Sequence, residues 1–102
     1  DAIGARIRDI ALDNTQNFTI DEELDVWSKY PTYDHLEEID VPTLVIVGDT
    51  DVRSIEEVAD VLSARIPGAR KILIEQADHV VNMRQPEAFD AAVLPFLLEA
   101  QP

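Results

Sequence analysis

Two side chains in this 102-residue sequence are of the right types to share acid–base chemistry, Asp51 and His79. A carboxylate that accepts a hydrogen bond from imidazole Nδ1–H fixes the tautomer and stabilises the imidazolium. Nε2 is then left to take a proton from a nucleophile. Each residue follows a short apolar run. If those runs are neighbouring strands, their ends lie about 4.8 Å apart, and short loops bring the carboxylate to the imidazole. Val80 and Met83, close to His79, are candidates for a pocket wall. Phe18, Trp27, Tyr30 and Tyr33 are either further pocket lining or the core of a small helical unit.

The elements that must position these residues are legible from periodicity. Val41-Pro-Thr-Leu-Val-Ile-Val-Gly48 holds an unbroken aliphatic run between Pro and Gly. Strands buried on both faces of a parallel sheet read this way. Gly48-Asp-Thr-Asp51 is a turn. Ser54 and Glu57 have capping-box spacing and predict a helix over about residues 55–65, which Pro67-Gly68 ends. Lys71–Glu75 is the second strand, and a loop runs on through His79. Asn82 is placed to bridge backbone groups of that loop. Pro86 suits the first position of a last helix with apolar positions Phe89, Ala92, Val93, Phe96 and Leu97, and Pro95 predicts a kink or break in it.

Strand, helix, strand, helix predicts an α/β arrangement with a parallel pair of strands. In open parallel sheets functional loops lie at the carboxyl ends of the strands, where Asp51 and His79 both fall. The Leu44–Val47 run expects strands on both sides, so more sheet is expected upstream or in a partner. Before Pro42 the text is acidic and helical. Residues 2–13 predict an amphipathic helix on Ile3, Ile7, Ile10 and Ala11. Thr19 and Glu22 predict a second helix from about Ile20 to Pro31, and residues 33–39 one more helical turn.

The wording of four segments resembles the last two strand–helix units of α/β hydrolases. They are Pro42-Thr-Leu-Val-Ile-Val-Gly-Asp-Thr-Asp51, Ile66-Pro-Gly-Ala-Arg70, Ala77-Asp-His-Val-Val-Asn82 and Gln85-Pro-Glu-Ala-Phe89. The acid precedes the histidine, as that family requires. The resemblance covers residues 36–98, the C-terminal part of the hydrolase core at 36–102. Residues 1–35 resemble the end of a helical lid or cap, on which Trp27 would be a substrate contact. Within the superfamily the text is most similar to enol-lactone hydrolases and related small-ester hydrolases. The resemblance implies Asp51 as triad acid, His79 as triad base and a small-molecule substrate, with no metal or organic cofactor.

Two departures stand out. Asp78 occupies the position before the histidine, often Gly in relatives, and a second carboxylate there either raises the imidazole pKa or faces solvent. No Gly-x-Ser-x-Gly is present. Ser28, Ser54 and Ser63 lack flanking glycines, and Ser54 reads as a helix cap. The nucleophile is therefore expected upstream of this sequence, and the chain alone is expected to be inactive. An Asp nucleophile would make the same pair part of a dehalogenase or epoxide hydrolase. A non-catalytic binding module or inactive remnant of the fold is the alternative. Asp49 competes with Asp51 as the acid, and Asp49-Thr50-Asp51 also invites a Mg²⁺ reading, which would leave His79 without a role. His35 lies in a polar helical stretch and is assigned none.

Composition narrows the remaining classes. Hydrophobic residues are 46% of the chain, enough to bury a core. A net charge of −13 repels nucleic acid and anionic membrane surfaces. No cysteine is present, so disulfides and thiolate metal sites are excluded. No membrane-length apolar run or leader is seen, which makes cytoplasmic the default expectation. The first residue is Asp1 rather than Met. That reads as a fragment, a processed chain or a trimmed one, with exposed apolar surface and sheet edges expected. Oligomeric state is not legible.

Overall fold

The computed structural model describes residues 1–13 and 31–100. The chain divides into two compact units, Asp1–Pro31 and Thr32–Pro102. In the first, helix α1 spans Ala2–Asp13 as its apolar periodicity predicts. Asp1 caps it, Oδ1 accepting the Gly4 N–H at 2.6 Å. The second helix predicted from Thr19 and Glu22 lies outside the described residues, as do Phe18, Trp27 and Tyr30.

The second unit carries the α/β order. A 3₁₀ segment at Thr32–Glu38, broken at His35, leads to β1 at Leu44–Gly48 and α2 at Arg53–Arg65. Then come β2 at Arg70–Ile74, the short α3 at Val81–Arg84 and α4 at Pro86–Glu99. The two strands are parallel neighbours in register from Leu44 opposite Arg70 to Gly48 opposite Ile74. They are the two strands among the described residues. Because they finish level, the segments after Gly48 and Ile74 start side by side.

The core lies beneath those strand ends. Ile74, Ala77 and Val81 are buried together, with Ile46, Ile72 and Phe89 packed on them. Val47 and the α2 residue Ala59 are buried as well. Burying each large aliphatic side chain stabilises the fold by about 1.5–3 kcal/mol. Leu36 anchors the 3₁₀ segment at 2% exposure, and Glu37 makes a two-point pair with Arg65 of α2, at 2.6 and 2.9 Å. The Arg65 guanidinium also sits 4.7 Å over the Tyr33 ring. Leu73 of β2 and Leu94, Leu97 and Leu98 of α4 remain exposed.

Two local expectations are corrected and a third is narrowed. Ser54 is not the cap of α2. The helix enters earlier, with Val52 as its extended cap residue and no side-chain cap bond, because the Asp51 carboxylate holds the Val52 N–H at 2.8 Å. Of the kink or break expected at Pro95, the break is not seen, since α4 continues through it to Glu99. A proline removes its own N–H and crowds the carbonyl four residues back, and both Pro95 and Ala91 are exposed, so that carbonyl is open to solvent rather than sealed in the core. The second strand lies one residue earlier than Lys71–Glu75, because Gln76 takes a positive φ of 56° and turns the chain at once.

Candidate active site

The tripeptide Asp49-Thr50-Asp51, directly after β1, grips the loop after β2 at three points. The Asp49 carboxylate accepts the Ala77 N–H at 3.2 Å. Thr50 donates twice to the Ala77 carbonyl, from its N–H at 2.9 Å and its hydroxyl at 2.7 Å. Asp51 Oδ2 lies 3.0 Å from His79 Nδ1. The level strand ends make this reach short. Gly48 makes it possible, since a Cβ there would lie 2.6 Å from the Ala77 carbonyl carbon and the Asp78 carbonyl oxygen, and nearer still to the Ala77 oxygen.

The two acids are therefore separated by geometry. Asp49 is spent on loop backbone, and Asp51 is the one that meets the imidazole. With the proton on Nδ1, His79 donates to Asp51 and presents Nε2 outward. The environments of the partners differ sharply. The Asp51 side chain is 8% exposed and that of His79 is 73% exposed. A nearly buried carboxylate behind an accessible imidazole can orient the ring and stabilise its cation while the ring exchanges a proton.

The Asp78 carboxylate, 37% exposed, bonds groups other than the imidazole. Oδ1 accepts the Val80 N–H at 3.1 Å and Oδ2 accepts Arg84 Nε at 2.9 Å. The Val80 N–H, with the Arg84 guanidinium behind it, holds the Asp78 carboxyl below the usual carboxylate range against the opposing effect of desolvation. Gln85 Nε2 donates to the Gln76 carbonyl at 3.3 Å. Asp78 and Gln85, rather than the exposed Asn82, are the side chains bonded to this loop's backbone from beside α3. Thr50, Arg84 and Gln85 escaped the sequence reading because their partners are loop atoms that no periodicity marks.

Val80 precedes α3 and Met83 lies within it, both half-buried, with the Met83 N–H donating to the Val80 carbonyl at 3.0 Å. An open groove of about 460 Å³ lies elsewhere, between the 3₁₀ segment and α2. Tyr33, Leu36, Val58, Val61 and Leu62 line it, with neither Val80 nor Met83 on it. His35 pairs with Glu38 at 3.0 Å. Among the described residues no group of three or more His, Asp or Glu side chains is arranged to hold a metal ion. No described helix is long and apolar enough to cross a membrane.

The chain resembles solved and characterised proteins over most of its length. It is similar to the structure of MenH from S. aureus, with a TM-score of 0.64 and 31% identity over 69% of this chain and 26% of that one. It is 30% identical to a pimeloyl-[acyl-carrier protein] methyl ester esterase of Neisseria meningitidis serogroup A, over 93% of this chain and 30% of that protein. The chain belongs to the α/β-hydrolase fold family. A third similarity, 37% identical over 97% of this chain, is to 5% of the polyketide synthase ThaQ of Burkholderia thailandensis. No family model matches. This α/β-hydrolase chain thus spans under a third of the length of each of these relatives.

Proposed function

We propose that this chain supplies the acid and base of a hydrolase acting on a small ester, lactone or related substrate. Its nucleophile lies outside the sequence described here. The observation that carries the reading is the 3.0 Å approach of His79 Nδ1 to a nearly buried Asp51 carboxylate. His79 Nε2 takes the proton of the nucleophile as it attacks the substrate carbonyl. The imidazolium then gives that proton to the leaving oxygen, and an acyl-enzyme remains. Water, deprotonated by the same nitrogen, releases the acid. Asp51 holds the ring in the tautomer this requires.

The relative named as a methyl ester esterase favours an ester over a halide or epoxide. The net charge of −13 favours a small-molecule partner over nucleic acid or an anionic membrane. Val80, Met83 and Trp27 are the proposed substrate contacts, and residues 1–35 the proposed end of a lid. The test is hydrolysis of a small aryl ester by the intact protein. His79→Ala should abolish turnover, and full activity in that variant would overturn the reading.

A further inference from the structure

An imidazole that is 73% exposed has little packing to hold it. Its reach to Asp51 depends on the backbone that carries it. That backbone leaves β2 at Ile74 and turns at Gln76, whose φ of 56° is one that a residue with a Cβ rarely adopts. Such a turn persists only where its surroundings hold it. The hold falls on Ala77, the next residue, which is 1% exposed. Asp49 Oδ1 accepts its N–H at 3.2 Å. Its carbonyl accepts the N–H and the hydroxyl of Thr50, at 2.9 and 2.7 Å. Both backbone polar groups of one residue are thus bound by two consecutive residues, and the residue after those two is Asp51.

We propose that Asp49 and Thr50 are positioning residues, which keep His79 in reach of Asp51 by holding Ala77. The proposal rests on the reading of His79 as the base. Asp51 bonds the ring, and its two predecessors bond the backbone two residues before that ring. Acid and base are therefore referenced to a single turn. The Asp49 N–H donates to the Ile74 carbonyl at 3.0 Å, which fixes that turn to the end of β2. With Ala77 released, the exposed ring spends part of its time away from the Asp51 carboxylate, and during that time nothing holds its proton on Nδ1. The role calls for a hydroxyl donor at Thr50 and an oxygen acceptor at Asp49. It does not call for the Asp49 charge.

The experiment compares Thr50→Val, Thr50→Ser, Asp49→Ala and Asp49→Asn in the intact enzyme, with His79→Ala as control. Thr50→Val keeps the shape of the side chain and removes the donor. With a small aryl ester, Thr50→Val and Asp49→Ala should each lose roughly tenfold in kcat with KM little changed, as a misplaced base does. Thr50→Ser and Asp49→Asn should recover most of that loss, because a serine hydroxyl still donates and an amide oxygen still accepts. A second readout needs no turnover. With His79 neutral, its imidazole nitrogen chemical shifts in NMR report which nitrogen carries the proton. Nδ1–H should predominate in the wild type, and Thr50→Val and Asp49→Ala should move the population toward Nε2–H. A tie that only stabilised the fold would lower the urea midpoint and leave kcat and tautomer where they were. That outcome, in variants folded by circular dichroism, would overturn the proposal. So would a Thr50→Ser as impaired as Thr50→Val, or an Asp49→Asn as impaired as Asp49→Ala. If Thr50→Val does not fold, the two Asp49 variants decide. An inactive His79→Ala beside any of these results leaves the catalytic reading intact. An active His79→Ala would overturn that reading, and the tautomer populations would still decide whether Ala77 holds the ring in place.

Discussion

The segments after the two strands solve different problems with the same few atoms. The turn after β1 is short, and its three residues each make a bond across to the other loop. The loop after β2 is longer, begins at a left-handed Gln76 and is braced from beside α3. One segment is the gripping side and the other is gripped. The acid sits on the first, nearly buried, and the imidazole on the second, mostly in solvent. A proton acceptor must meet its substrate, while the group that orients it works best in a fixed, poorly solvated place. The difference in burial is what the roles proposed for Asp51 and His79 call for.

Asp51→Asn breaks this comparison most directly. An amide can donate to Nδ1 and so favours the wrong tautomer, leaving no basic nitrogen facing the nucleophile. In the intact enzyme kcat for a small aryl ester should fall by roughly 10⁴-fold. Circular dichroism should show the fold retained, because the amide oxygen can still accept the Val52 N–H. A loss smaller than tenfold would mean that the buried carboxylate is not what orients the ring.

The two glycines of the second unit sharpen the comparison at the next level. Gly48 needs the absence of a Cβ, since loop backbone lies where one would be. Gly68 has nothing within 4 Å of a Cβ but has a φ of 73°. Gly48→Val should therefore destabilise by about 3 kcal/mol by prying the two loops apart. Gly68→Ala should cost only about 1 kcal/mol, through backbone strain. Urea unfolding of the intact protein separates the two, and Gly48→Val alone should also lower kcat.

What could be read from the residues follows the range of the forces involved. Leu44–Val47 declared a strand because a Pro and a Gly bound a β-branched run, and its neighbour was found by the same rule. Asp51 and His79 could be paired because parallel topology sends both chain ends to one side of the sheet. Ser54 misled because its spacing to Glu57 is right locally, whereas Asp51 takes the Val52 N–H and lets the helix start sooner. Asp78 looked like a charge beside the histidine, and nothing in its spacing showed that it bonds Val80 and Arg84 instead. The bonds of Thr50, Arg84 and Gln85 join segments brought together by the fold, so they become visible only once the strands are paired.

The smallest effect concerns the contrast between the strand ends and the outer face of α2. At the strand ends, part-buried hydrogen bonds hold the loops. On the outer face Glu37, whose side chain is 58% exposed, meets Arg65. The Arg65 hydrogen bond lowers the Glu37 carboxyl from 4.5 to about 2. A folded-state value below the unfolded one means stability that is complete above about pH 4.5 and is lost as pH falls through about 2. The difference in unfolding midpoint between wild type and Glu37→Gln should therefore be full at neutral pH, shrink below pH 4.5 and close near pH 2. Because the pair is exposed, molar salt should shrink the same difference at neutral pH. Removing the Thr50 hydroxyl by Thr50→Val should cost about 1 kcal/mol at every pH and salt concentration, because that bond has no charge to titrate or screen. A salt-insensitive Glu37→Gln difference would erase the distinction between a solvated tie and a part-buried one.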